Sequence, residues 1–281
     1  PDIFVGRLLV QNTDELRNWI RKAIIYETDP GKGNRDYLTK AYFTDADNLR
    51  SYHITDELTW CSTIKVDFEQ GGYNTTYTPS FPTGHDVISE FNNKYGVSGF
   101  CAHGNPTTVA VATKGNVINE PLSKYGVTSL DAYNSTSNSG CCLIPENGNG
   151  FDNMTNKNHP TIFLSIACKT MPFDDFEHSP SIRNMGESYT VISEGGGPVY
   201  IGNTRNGFCS ATNSILGKMM QLSTDTTFFN IGKLMGISKE IDGNRWISLH
   251  VKYSLNLLGC PEIELWTAIP TIFYNASVSE S

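Results

Sequence analysis

Two apolar runs in this chain stop abruptly on a reactive side chain, and the remaining pattern is arranged around them. Thr161 to Ala167 is almost continuously hydrophobic and is followed by Cys168, the pattern of a strand buried on both faces. Gly96 to His103, with Gly104 after it, has the same form. Laid side by side as parallel strands, the two runs bring His103 and Cys168 to one edge of the sheet, where open α/β sheets keep their sites.

The flanking segments supply the rest of such a sheet and its helices. Asp2 to Val10 reads as a strand with a glycine break. A helix follows, with Asn12 as N-cap, Glu15 three residues on, and Leu16, Trp19, Ile20, Ala23 and Ile24 at helical spacing until Asp29 and Pro30 stop it. Tyr37 to Asp45 reads as a strand ending in an acidic loop, Asp45 to Asn48. Thr63 to Phe68 alternates like a strand, and Thr83 to Tyr95 reads as a helix capped by Thr83 with Val87, Ile88 and Phe91 on one face. Residues 115–159 turn polar and read as a long surface excursion. Pro198 to Asn203 is a short buried strand. Helical patterns follow at Ala211 to Leu222, Phe228 to Ile241 and Arg245 to Leu258, then a strand at Glu262 to Trp266 and a frayed tail from Ser277. Alternating strands and helices predict an α/β sandwich on a mostly parallel sheet, with residues 1–281 as one domain.

Composition narrows the function. The chain of 281 residues is 38% hydrophobic and 18% charged, enough to bury a substantial core. Its 21 Lys and Arg against 29 Asp and Glu give a net charge of −8, so neither nucleic acid nor an anionic membrane surface is an electrostatic partner. No apolar stretch approaches the roughly 18 residues of a spanning helix. The seven cysteines, Cys61, Cys101, Cys141, Cys142, Cys168, Cys209 and Cys260, are odd in number and lack C-x-x-C spacing. A zinc site from Cys101, His103, Cys141 and Cys142 would need spacings foreign to structural zinc, so no metal ligand is assigned.

The chemistry that remains is nucleophilic. Attack on a peptide carbonyl needs a thiolate, an imidazole to take and return its proton, and backbone N–H groups aimed at the oxyanion. Cys168 and His103 supply the first two. Gly104, lacking a Cβ, lets its N–H approach the substrate carbonyl, and the N–H of Cys168 is the second donor.

These motifs resemble the gingipain family of cysteine peptidases, in the caspase–haemoglobinase clan. The matching stretches are P-D-I-F-V-G-R-L from Pro1 with the helix ending at Tyr26 and Glu27, F-C-A-H-G-N from Phe100, F-L-S-I-A-C ending at Cys168, G-G-P-V-Y-I-G-N-T-R from Gly196, and N-L-L-G-C-P-E-I-E-L-W-T from Asn256. The resemblance implies a caspase-like three-layer sandwich, a mostly parallel sheet flanked by helices. It implies a cysteine endopeptidase acting through a thioester acyl-enzyme, with Cys168 as nucleophile, His103 as general base and acid, and Gly104 in the oxyanion hole. Asp47, or Asp45, is the candidate to orient the imidazole. Cys101, Ile166 and Phe208, with the turn from Asn203 to Cys209, are the candidate walls of a pocket for a basic P1 side chain. The resemblance further implies protein or peptide substrates, secretion or surface display in a bacterium, and no required cofactor, with room for structural calcium. The family's fuller catalytic unit has an N-terminal subdomain before the segment that resembles Pro1-Asp2, which this chain is expected to lack, and an N-terminal portion of the precursor is the expected partner. A peptide-binding module without catalysis, or a transpeptidase passing the acyl group to an amine, are the alternatives on the same fold.

Overall fold

The computed structural model describes residues 3–45, 60–78, 82–111, 126–133, 148–174, 182–224, 229–241 and 246–270. The first helix, α1 (Thr13–Thr28), begins where Asn12 accepts bonds from the N–H groups of Asp14 and Glu15. Strand β1 (Lys40–Asp45) follows a short 3₁₀ turn at Asp36–Thr39. Helix α2 (Trp60–Gln70), strand β2 (Asn74–Thr78), helix α3 (Gly84–Phe91) and strand β3 (Val97–Cys101) complete the first half. Beyond β3 lie β4 (His103–Gly104), β5 (Thr108–Ala110) and β6 (Gly126–Thr128), then β7 (Ile162–Ile166) and β8 (Val199–Asn203). Helices α4 (Cys209–Ser223), α5 (Ile231–Ile241) and α6 (Trp246–Ser254) lead to β9 (Leu255–Leu258).

Six strands form one sheet in the order β2-β1-β3-β7-β8-β9, all parallel except β9 against β8. Every residue of β3, β7 and β8 is buried, which accounts for their unbroken apolar character. The register sets Ser98, Phe163 and Tyr200 in one row across the sheet. On that face Phe163 meets Phe91 of α3 and stacks with Tyr200, while Tyr189 closes over it. On the opposite face Phe43 packs edge-on against Phe68 of α2. The result is a three-layer α/β sandwich.

Several elements differ from the sequence pattern. Thr63 to Phe68 lies in helix α2: Ile64 and Phe68, four apart, are fully buried and Val66 between them is 49% exposed, so apparent alternation was one helical turn. Asp2 to Val10 makes only a single bridge, Arg7 to Leu258, because α1 begins immediately afterwards. The last helical pattern ends at Ser254, and Leu255 to Leu258 is the antiparallel edge strand, its Leu255, Leu257 and Leu258 all buried. Glu262 to Trp266 contributes one bridge, Asn230 to Glu264, and no strand. Within the polar excursion, β6 pairs with β5, and Val127, Phe151 and Met154 join the core, so those stretches are structural rather than superficial. The tail from Ser277 lies outside the described residues.

Candidate active site

Parallel pairing of β3 with β7 aligns Cys101 with Ile166, so both strands end at the same edge. The Ala102 N–H still bonds the Ile166 carbonyl at 3.0 Å, and the chain then leaves the main sheet. His103 and Gly104 pair antiparallel with Ala110 and Val109, anchoring the histidine backbone in the small second sheet. Its hairpin is closed by Asn105, whose side-chain oxygen accepts from the N–H groups of Thr107 and Thr108 at 2.8 and 2.9 Å.

On the β7 side the chain turns sharply after Ala167. Lys169 is in the left-handed region at φ 53, an uncommon conformation for a residue with a side chain. The turn is held from β8 and the loop after it. The Lys169 N–H bonds the Arg205 carbonyl at 2.9 Å, and the Asn203 amide, wholly buried, donates to the Ala167 carbonyl at 3.1 Å. The Asn203 amide oxygen in turn accepts from the Ser254 hydroxyl at 3.3 Å. The Cys168 thiol donates to the Gly207 carbonyl at 3.5 Å.

These pieces enclose a cavity of about 70 Å³ lined by Cys168, His103, Ala102, Ile166, Asn203 and the start of α4 at Cys209 and Thr212. Cys168 and His103 both line this one space. Gly104 runs against the Cys168 backbone: a Cβ there would stand 3.0 Å from the Cys168 carbonyl oxygen. Burial lowers the pKa of His103, favouring a neutral imidazole. Helix α4 starts at Cys209 with no side-chain cap from Phe208, and Cys209 and Thr212 line the cavity, so the positive end of the helix dipole lies beside it.

The other sequence candidates fall in different places. Ile166 lines the cavity, whereas Cys101 is fully buried in the core and Ala102 takes the lining position. Phe208 packs edge-on against Trp246 and His250, and its neighbour Cys209 lines the cavity. Asp45 closes β1 level with Cys101, at the same sheet edge, and Asp47 lies outside the described residues. Arg205 does not line the cavity and makes an ion pair with Asp174. The brace from Asn203 was hidden in sequence, because nothing about an asparagine closing V-Y-I-G-N reveals which carbonyl it will meet. Among the described residues no three His, Cys, Asp or Glu side chains gather as a group that could hold a metal ion.

A three-layer α/β sandwich on a mostly parallel sheet is a caspase-like fold, and the cavity lined by Cys168 and His103 lies at the edge of that sheet. The profile of peptidase family C25 matches residues 1–266, and the chain belongs to that family. Solved structures similar in fold include the Arg-specific cysteine proteinase gingipain R, with a TM-score of 0.70 at 16% identity over 96% of this chain and 57% of that one. The complex of Porphyromonas gingivalis RgpB pro- and mature domains aligns with a TM-score of 0.68 at 16% identity, over 96% of this chain and 58% of that one. A third, described only as a protease, aligns with a TM-score of 0.65 at 18% identity over 100% of this chain and 60% of that one. The chain thus spans less than two thirds of the length of these relatives. No curated protein sequence matches it. Among the described residues no helix is long and apolar enough to cross a membrane.

Proposed function

We propose that this chain is a cysteine endopeptidase in which Cys168 attacks the scissile carbonyl and His103 carries the proton. The observation that carries this reading is the shared cavity, with Cys168 and His103 both on its wall and the Gly104 backbone against Cys168. The neutral imidazole accepts the thiol proton, and the positive end of α4 favours the resulting thiolate. The Gly104 and Cys168 N–H groups receive the oxyanion as the tetrahedral intermediate forms. His103 then protonates the departing amine, leaving a thioester that water hydrolyses. This chemistry uses no cofactor.

Asp47, or Asp45, is the group proposed to orient the imidazole, since β1 ends at Asp45 level with Cys101, two residues before His103. A basic P1 residue is proposed on the strength of the Arg-specific relative. The pairing of Arg205 with Asp174 supports it, because that cation is compensated and Arg205 is not among the residues lining the cavity. A pro-domain complex among the similar structures supports a portion of the precursor as partner. The exposure of Ile3 at 77% and Val5 at 65% supports a covering surface there. Secretion or surface display in a bacterium completes the reading and rests on family membership.

The test is labelling by a peptidyl acyloxymethyl ketone with Arg at P1, read by peptide mapping. Modification of Cys168, absent in Cys168→Ala and greatly slowed in His103→Ala, is the expected result. Labelling of another cysteine, or of Cys168 at equal rate without His103, would overturn the assignment. A P1 library then decides specificity: cleavage after acidic or small residues and none after Arg or Lys would exclude the basic preference.

A further inference from the structure

Helix α6 turns its apolar side chains the wrong way for a surface helix. Trp246, Leu249 and Tyr253, spaced i, i+3 and i+7, share one outward face and are 70%, 46% and 78% exposed. Its inward face is held by Val251 and Ser254, both buried. A contiguous outward patch of this kind on a soluble protein marks a binding surface.

The patch is continuous with the cavity through a single turn. Gly207 accepts the Cys168 thiol at 3.5 Å. The residues on either side of it touch α6: the Asn206 carbonyl accepts from His250 Nε2 at 2.7 Å, and the Phe208 ring meets Trp246 and His250 edge-on at 5.6 and 5.5 Å between centroids. A carbonyl can only accept, so this contact fixes the proton on Nε2 of His250. The aromatic platform and the reactive sulfur therefore sit on opposite ends of one rigid connection.

We propose that the outer face of α6, centred on Trp246 and Tyr253, is a subsite for an apolar or aromatic side chain of the polypeptide being cleaved. This rests on the peptidase reading and extends it to residues away from the scissile bond. A helix of nine residues offers three side chains here, far less than the roughly 800 Å² per partner of a stable protein interface, so one substrate side chain fits it better than a second folded protein. An extended substrate advances about 3.3 Å per residue, so the platform is reached by a side chain removed from the cleaved bond, and scanning each flanking position identifies which.

The experiment uses the full chain and internally quenched peptides with Arg at P1, in which Phe replaces Ser at each of the flanking positions in turn. At one position Phe raises kcat/KM about tenfold over Ser, as burial of one aromatic ring against another allows. That preference disappears in Trp246→Ala and returns in Trp246→Phe. Because the readout is a ratio between two peptides, a general loss of activity does not mimic it. A preference independent of Trp246, or none at any position, overturns the proposal. If no peptide is cleaved, the peptidase reading has failed on its own. The same peptides are then titrated against Cys168→Ala, following tryptophan emission against a Cys168→Ala, Trp246→Phe control. A blue shift that requires Trp246 supports the subsite, and its absence overturns it.

Discussion

Gly104, in the small second sheet, and Cys168, in the turn after β7, are 64 positions apart in sequence (168 − 104) yet lie backbone against backbone: a Cβ on Gly104 would lie 3.0 Å from the Cys168 carbonyl oxygen, 3.0 Å from the Ala167 Cβ and 3.1 Å from Thr170 Cγ2. All three neighbours are backbone or short side chains, so none can swing aside. Gly104→Ala therefore costs about 1–3 kcal/mol of stability by overpacking. It also moves the N–H assigned to the oxyanion, which lowers kcat by about 10² to 10³. Alkylation of Cys168 by iodoacetamide should be affected far less, since that reaction makes no oxyanion. An unchanged kcat in Gly104→Ala would remove this N–H from the mechanism.

The pH profile follows from His103. Burial holds its pKa below the usual 6.5, so the neutral, proton-accepting form persists to more acid pH than for a free histidine. The acid limb of kcat/KM is thus expected to have its midpoint below 6.5. A midpoint above that value would mean that a carboxylate or another group stabilises the imidazolium, and that His103 starts the cycle charged.

Much of the sheet was legible because parallel strands must be apolar on both faces. β7 and β8 announce themselves as short runs between turns, and so do the two strand ends carrying His103 and Cys168. The errors came where one apolar spacing fits two periods. Ile64, Val66 and Phe68 alternate, yet burial follows Ile64 and Phe68 alone, and the segment is helical. Leu255 to Leu258 continues the apolar pattern of α6 and was absorbed into it, although the backbone of β8 has an open edge to be paired there. Tertiary demand decided both. The lateral offset of the site walls has the same origin: Ala102 and Cys209 line the cavity in place of Cys101 and Phe208, since side-chain direction at a strand end or helix start is set by the turn beyond it.

Asn203 is expected to position the nucleophile without touching substrate. It is fully buried, and its amide holds the Ala167 carbonyl immediately before Cys168. Asn203→Ala leaves that carbonyl unpaired at a cost of about 1–3 kcal/mol. Asn203→Asp is worse, because it sets a second acceptor against the carbonyl. The kcat of both variants should fall with KM nearly unchanged, and alkylation of Cys168 should slow in parallel. Loss of thermal stability with a normal alkylation rate would reduce Asn203 to a purely structural role.

Stability should carry the mark of Glu187. It is buried beside Arg183, whose Nε lies 3.7 Å from Glu187 Oε1, while Arg183 also pairs with Glu15 at 2.7 Å. Burial raises the Glu187 pKa from 4.5 to about 6, against the opposing pull of the Asn184 N–H and the Arg183 charge. The folded state therefore binds this proton more tightly than the unfolded chain between these two values. In that window stability from this group falls as pH rises, by about 2 kcal/mol in all. The segment matters to the site, since the Gly186 N–H bonds the Thr170 carbonyl just beyond the nucleophile. Glu187→Gln keeps an acceptor for Asn184 and removes the titration. Urea unfolding at pH 4.5 and pH 7 is the measurement: the variant should gain on the wild type by about 1–2 kcal/mol between the two. A difference that does not change with pH would show that Glu187 titrates in the folded state as it does in the unfolded chain, its burial fully compensated by Arg183 and the Asn184 N–H.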